Sequence, residues 1–309
     1  MSNNRKRIYS LFCAIVIILW GIPASVFAQQ TVYLRTPNDL LRFSKNCRDE
    51  GYSKGLSVAL ENDIDMGETI FIPIPYFAGS FDGNGYSVRG IHMDFEGSET
   101  GFFRRLAEGA KVSGLCLGVN LDLTDDFSSV GGLVGENSGI VSDCVVTGSV
   151  RGGEQIGGIV GVNMESGQIT SCTNETEVSA EEQTGGVVGW NKGTVSACVN
   201  YGNVNNRSKK SDSKGVGALT RLGFHSDEVR LSGHTLYNAT GGIAGQNDAL
   251  IENCTNYGKV GYAHVGNRSG GIAGIQGGKL VGCVNYGAVQ GKRNVGGVVG
   301  QFVPDADIT

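Results

Sequence analysis

The feature that most constrains this chain is a five-residue block that returns at near-constant spacing. Gly131-Gly132-Leu133-Val134-Gly135 reappears at 157–161, 185–189, 241–245, 270–274 and 296–300, the starts lying 26, 28, 56, 29 and 26 residues apart. The long gap is twice 28, and a worn copy, Gly215-Val216-Gly217-Ala218-Leu219, divides it into 30 and 26. One coil there reads as decayed but not lost. A cysteine follows most block starts by 13 residues (Cys144, Cys198, Cys254, Cys283), with Cys172 displaced by a two-residue insertion near Met164-Glu165. Asn-Tyr-Gly then recurs at 200–202, 256–258 and 285–287, and a valine stands two residues further on in Val204, Val260 and Val289. Several independent markers therefore share one period.

A period of this size means a solenoid, a propeller or an array. Helical repeats are excluded because each interior glycine costs about 1 kcal/mol relative to alanine and every coil carries several. Propeller blades need about 40 or more residues, and the leucine pattern of horseshoe repeats is missing. What remains is an all-β fold, a parallel β-helix of roughly 26–30 residues per coil whose coils stack at about 4.8 Å. Runs such as Gly139-Ile140-Val141-Ser142-Asp143-Cys144-Val145-Val146 alternate as strands with one buried face do. Stacking predicts one buried aliphatic ladder of Leu133, Ile159, Val187, Ile243, Ile272 and Val298, glycines with positive φ at corners, and an asparagine turn ladder of Asn137, Asn163, Asn191 and Asn247. Thr36-Pro37-Asn38-Asp39 offers an N-cap, a proline at the first helical position and an acidic third position, so a short helix is expected to cap the stack.

The first residues carry Arg5-Lys6-Arg7, an apolar run over 11–20, a break at Gly21 and Pro23, and small residues up to Ala28. This is the pattern of a signal peptide at 1–28, with no transmembrane segment left after its removal. Residues 29–100 then hold the cap and first coil or coils, and 101–309 the repeats, with a degenerate coil and loop insertion at about 205–240. The expectation at the other end is a continuing polypeptide or a partner on the open stack. Without the three leader cations the formal charge moves from −5 to −8, which disfavours nucleic acid as a partner.

The block, the asparagine after it and the central cysteine resemble the GLUG-motif repeats of bacterial surface and secreted proteins. Asp63-Ile64-Asp65, Phe81-Asp82-Gly83-Asn84-Gly85 and Gly101-Phe102-Phe103 resemble the lead-in to such repeats, so the likeness runs over nearly all the mature chain. It implies a right-handed β-helix on an exported protein, often as one segment of a larger one. No catalytic residue comes with the motif.

Seven cysteines remain after the leader, an odd number. Cys116, Cys144, Cys172 and Cys198, 28, 28 and 26 apart, are expected at one inward position on consecutive coils, where parallel Cβ vectors do not give a disulfide dihedral. They read as buried free thiols. With no close Cys or His pair, neither a metal nor another cofactor is expected. Asp125-Asp126 and His234 superficially resemble a pectin-degrading hydrolase, but 108 residues place them about four coils and nearly 20 Å apart, beyond the roughly 9.5 Å of paired carboxyl groups. Ser211-Asp212-Ser213-Lys214 matches a nucleophile motif by chance, and no catalytic residue is assigned.

Two binding candidates stand out. The first is the polar excursion holding Lys209, Lys210, Arg221, His225 and Arg230, since insertions in a solenoid form loops on one face. The second is Tyr201, Tyr257 and Tyr286. Facing outward they form a strip suited to sugar rings, while inward or at a corner they form a packing ladder, which the repetition itself favours. The functional expectation is a non-catalytic extracellular or cell-surface module in adhesion to a host matrix protein or polysaccharide. Its rivals are a polysaccharide lyase or glycoside hydrolase, and a spacer segment of a larger surface protein.

Overall fold

The structure is a computed structural model that describes residues 31–67, 69–93, 98–123, 126–206, 238–304 and 307–308. The chain divides into two units, Met1–Thr31 and Val32–Thr309. All but Thr31 of the first, and with it the expected signal peptide, lies outside the described residues.

The second unit is a parallel β-solenoid of about eight turns with a single helix among the described residues. One coil illustrates the winding. Glu154–Gly157, Val160–Asn163, Gln168–Thr170 and Thr173–Ser179 contribute one strand to each of four sheets. Each strand pairs in parallel with its equivalent one coil on, as Val160 with Val188, Ile169 with Val195 and Thr173 with Val199.

The expected aliphatic ladder is present. Leu133, Ile159, Val187, Ile243 and Ile272 are fully buried, and Val298, in the uppermost described coil, stays 40 % exposed. Beside it run Val134, Val160 and Val188, and on another face Val141, Ile169, Val195 and Ile251, all without solvent contact. Each such side chain contributes about 1.5–3 kcal/mol on burial.

Positive-φ glycines hold some of the corners, as expected, Gly114 and Gly282 among them, but the glycines of the block serve another purpose. None has positive φ. Other left-handed corners fall on Ser129, Gln155, Gln183 and Ala239 before the block, and on Asp143, Ser171, Ala197 and Asn253 before the cysteine, where Gly282 stands in the last such corner. The block needs glycine because a Cβ on Gly185 would lie 2.0 Å from the carbonyl oxygen of Val188, and one on Gly186 2.2 Å from that of Gly242. Backbone crowding, rather than turn conformation, excludes side chains here.

Asn137, Asn163 and Asn191 are fully buried and donate, Nδ2 to Oδ1, each to the asparagine one coil on at 2.7–2.8 Å, a line that ends on Gln276. Each side chain also bonds the backbone two to four residues later, which satisfies polar groups that would otherwise be stranded in the core.

The cap forms as the sequence indicates. The helix α1 (Pro37–Asn46) starts at Thr36, whose Oγ1 accepts from the N–H of Asp39 at 3.2 Å. Its Leu40 and Phe43 are buried, with Phe43 6.0 Å from Phe77 and 6.3 Å from Phe81, ring centre to ring centre. An aromatic cluster continued by Phe102 and Phe103 thus fills the solenoid beneath the helix.

Two expectations are corrected. The coil beginning at Gly185 pairs directly with the one beginning at Gly241, through Gly185 with Gly241, Asn191 with Asn247 and Val199 with Thr255. The stack therefore has no level for a worn coil between them, and the Gly215 block itself lies outside the described residues. Cys116 does not stand under Cys144: it pairs with Val145, so Leu115 occupies the inward position and Cys116 is only partly buried. That coil is one residue longer than the cysteine spacing suggests.

Candidate functional site

Outward alternation on the sheet that ends each coil places Tyr201, Tyr257 and Tyr286 in one column. Asn200 and Asn256 point inward and are fully buried, so the next residue points to solvent. The Asn200 amide donates to the carbonyl of Gly202 at 2.9 Å and to Asn256 Oδ1 at 2.7 Å, while its oxygen accepts from the N–H of Gly202 at 3.2 Å. Asn256 repeats the pattern onto Gly258 and Asn285. Backbone bonds of 2.7 and 2.8 Å from the N–H of Tyr257 and Tyr286 to the asparagine carbonyls beneath fix the register.

The tyrosines are 54, 48 and 67 % exposed. Their ring centroids lie 5.0 and 5.1 Å apart with planes 6° and 12° from parallel. The column is therefore both a stack and a surface strip: the cross-strand stacking expected of a packing ladder is present, but on an outward face. The stack also limits what it can hold. A sugar ring slotted between two faces needs roughly 7 Å, twice a van der Waals contact. A ligand consequently meets the ring edges and phenol hydroxyls, repeated every 5.0–5.1 Å along the axis. By register Glu175 stands at the same position one coil below Tyr201, and the exposed Lys259 flanks the column.

The other half of the sequence-based site, Lys209, Lys210, Arg221, His225 and Arg230, lies outside the described residues. Its anchors do not. The excursion leaves after Asn206, five residues beyond Tyr201, where Asn206 Nδ2 donates to the carbonyl of Gly261 at 2.8 Å, and it returns at Asn238.

Two further features escaped sequence reasoning. On another face Trp190 donates through Nε1 to Asp248 Oδ2 at 2.7 Å, with the Lys192 ammonium 3.8 Å from the ring centre. Only the position of Trp190 after a glycine block hinted at it. A cleft of about 200 Å³ opens where the end of α1 meets the first coils, lined by Arg48, Glu50, Tyr76, Glu99, Arg104 and Arg105. Two of its three guanidinium groups are engaged: Arg105 pairs with Glu99 at 2.6 Å, which raises its pKa, and Arg104 donates to the carbonyls of Ser98 and Glu99.

Nothing in these groups assembles acid–base chemistry. Asp63 and Asp65 are held below the usual carboxylate range, Asp63 by the N–H and hydroxyl of Ser87, Asp65 by the N–H of Gly67 and by Arg89. Asp122 pairs with Arg151 at 3.4 Å on the surface, and Asp125 lies outside the described residues. Among the described residues no three His, Cys, Asp or Glu side chains converge to hold an ion, and no helix is long and apolar enough to cross a membrane.

The model of the GLUG motif matches residues 128–151, the first complete turn through block and cysteine. The chain carries the GLUG motif. The motif spans the strands Ser128–Gly131, Val134–Asn137, Ile140–Ser142 and Val145–Arg151, so one GLUG unit is one coil of the solenoid. The chain is also 33% identical over 107 residues to halomucin of Haloquadratum walsbyi, covering 34% of this chain and 1% of halomucin. No solved structure matches.

Proposed function

We propose that this protein is an exported cell-surface β-solenoid that binds an extended polysaccharide along the column of Tyr201, Tyr257 and Tyr286, without cleaving it. The observation that carries the reading is the exposed ladder, held in register by buried asparagines and repeating at 5.0–5.1 Å. The spacing favours sugar over polypeptide. An extended peptide advances about 3.3 Å per residue, so neither one residue nor two keeps step with the ladder. A polysaccharide chain in extended form advances by about one rung per pyranose unit and brings hydroxyls to each phenol. Three weak contacts on one rigid scaffold then act together through effective concentration.

The basic residues Lys209, Lys210, Arg221, His225 and Arg230 belong to this proposal as a second contact, because their segment is anchored five residues beyond Tyr201. Surface location is supported by the leader pattern at 1–28, by the GLUG coil and by the partial likeness to halomucin. The test is binding of the chain to a panel of soluble polysaccharides and host matrix proteins, with product analysis on each polymer bound. Saturable polysaccharide binding without new reducing ends or unsaturated products is expected. Cleavage products would establish the enzyme reading, preference for a matrix protein would replace the ligand class, and no binding would leave a spacer.

A further inference from the structure

Five cysteines, Cys144, Cys172, Cys198, Cys254 and Cys283, are far apart in sequence yet stand one coil above another. Register fixes this, for the residues that follow them pair in turn: Val145 with Thr173, Thr173 with Val199, Val199 with Thr255, Thr255 with Val284. All five are free thiols, four buried and Cys283 partly so. Each Sγ lies 3.2–3.4 Å from the carbonyl oxygen two residues earlier, so all five sulfurs project the same way. The N–H groups of Cys198 and Cys254 reach the sulfur of the next coil at 3.4 Å.

We propose that this column is a binding site for soft monovalent ions of the copper(I) class, each seated in linear two-coordination between successive sulfurs along the solenoid axis. Successive coils hold equivalent atoms about 4.8 Å apart. Two metal–thiolate bonds of about 2.3 Å laid end to end span about 4.6 Å. The coil rise therefore sets neighbouring sulfurs at the separation a linear S–metal–S unit requires.

Charge balances within the core. An S–H bond breaks, an S–metal bond forms, the proton leaves to the buffer, and a lone pair of the next sulfur completes the coordination. Each monovalent ion thus replaces one proton, and the penalty of burying an uncompensated charge does not arise. Five sulfurs offer four gaps, so four ions displace four protons and one thiol keeps its own. Sulfur ligands select soft ions, and among the described residues a tetrahedral ion such as zinc finds no four donors around one point.

The test uses silver(I) as the probe, in chloride-free buffer, on the reduced full chain with Cys13→Ser, Cys47→Ala and Cys116→Ser to remove the three thiols outside the column. Native mass spectrometry counts ions, and a pH indicator counts released protons. Up to four silver ions per folded chain and one proton per ion are expected. Cys198→Ala divides the column and should lower the number to two, and Cys198→Val, which refills the volume, should do the same with an unchanged circular dichroism spectrum and melting temperature. At most one ion per chain, an unchanged count in both Cys198 variants, or uptake only in denaturant would overturn the proposal.

Discussion

Asn256 uses its whole side chain. Its amide donates to Gly258 and Asn285 while its oxygen accepts from Gly258 and Asn200, all within 2.7–3.2 Å and without solvent contact on the asparagine. Asn256→Ala should strand the Asn200 amide and the Gly258 backbone at about 1–3 kcal/mol each, lowering stability by roughly 2–5 kcal/mol in urea unfolding. A loss below about 0.5 kcal/mol would mean that the ladder is incidental. Asp63 makes a subtler contribution. Its folded pKa is depressed by Ser87, so its stabilisation is present above the unfolded value, near the reference 3.8, and is lost as pH falls through the folded value. Asp63→Asn should therefore flatten the acid limb of the melting temperature below about pH 4 and leave the two proteins alike at the lowest pH reached. An equal acid slope in both would remove Asp63 from the account. At this scale the inward asparagines were legible in the sequence because turn chemistry repeats with the block. The direction of the tyrosines was not, since repetition looks the same for an inward and an outward column.

Within one coil the decisive constraint is how closely backbones approach. A Cβ on Gly258 would lie 1.8 Å from the carbonyl oxygen of Gly202, whereas one on Gly118 meets nothing nearer than 3.5 Å, and neither residue has positive φ. Gly258→Ala should cost about 3 kcal/mol or more, as other backbone collisions in a packed core do, while Gly118→Ala should be neutral or stabilising by about 0.4–1 kcal/mol. Thermal unfolding of the pair checks it, and equal effects would refute the crowding argument. The block period revealed the coil but not why its glycines are required, because a glycine required for want of a Cβ and one required for a left-handed corner look identical in sequence. Ala197 and Asn253 hold such corners and give no signal of it. Cys116 misled for a similar reason: regular spacing conceals a one-residue difference in coil length, and one residue reverses the face.

For the whole solenoid, direct pairing of the coils at Gly185 and Gly241 leaves the described stack continuous across the segment 207–237. Three residues link Val178 to Glu182 at the equivalent corner one coil below. Joining Asn206 to Asn238 through a single glycine restores that length, so the shortened chain should keep its circular dichroism spectrum and melt no lower than the parent. Collapse of the β signal would show that the excursion is part of the stack. The same variant bears on binding, since it removes Lys209, Lys210, Arg221, His225 and Arg230 and leaves the tyrosines. The most direct test of the tyrosine column is the affinity of Tyr257→Ala for the best polysaccharide of the panel, measured by titration calorimetry beside the parent. Loss of the central rung is predicted to weaken binding at least tenfold, about 1.4 kcal/mol, with the fold unchanged. An affinity within twofold of the parent would contradict the assignment of the column as the recognition surface.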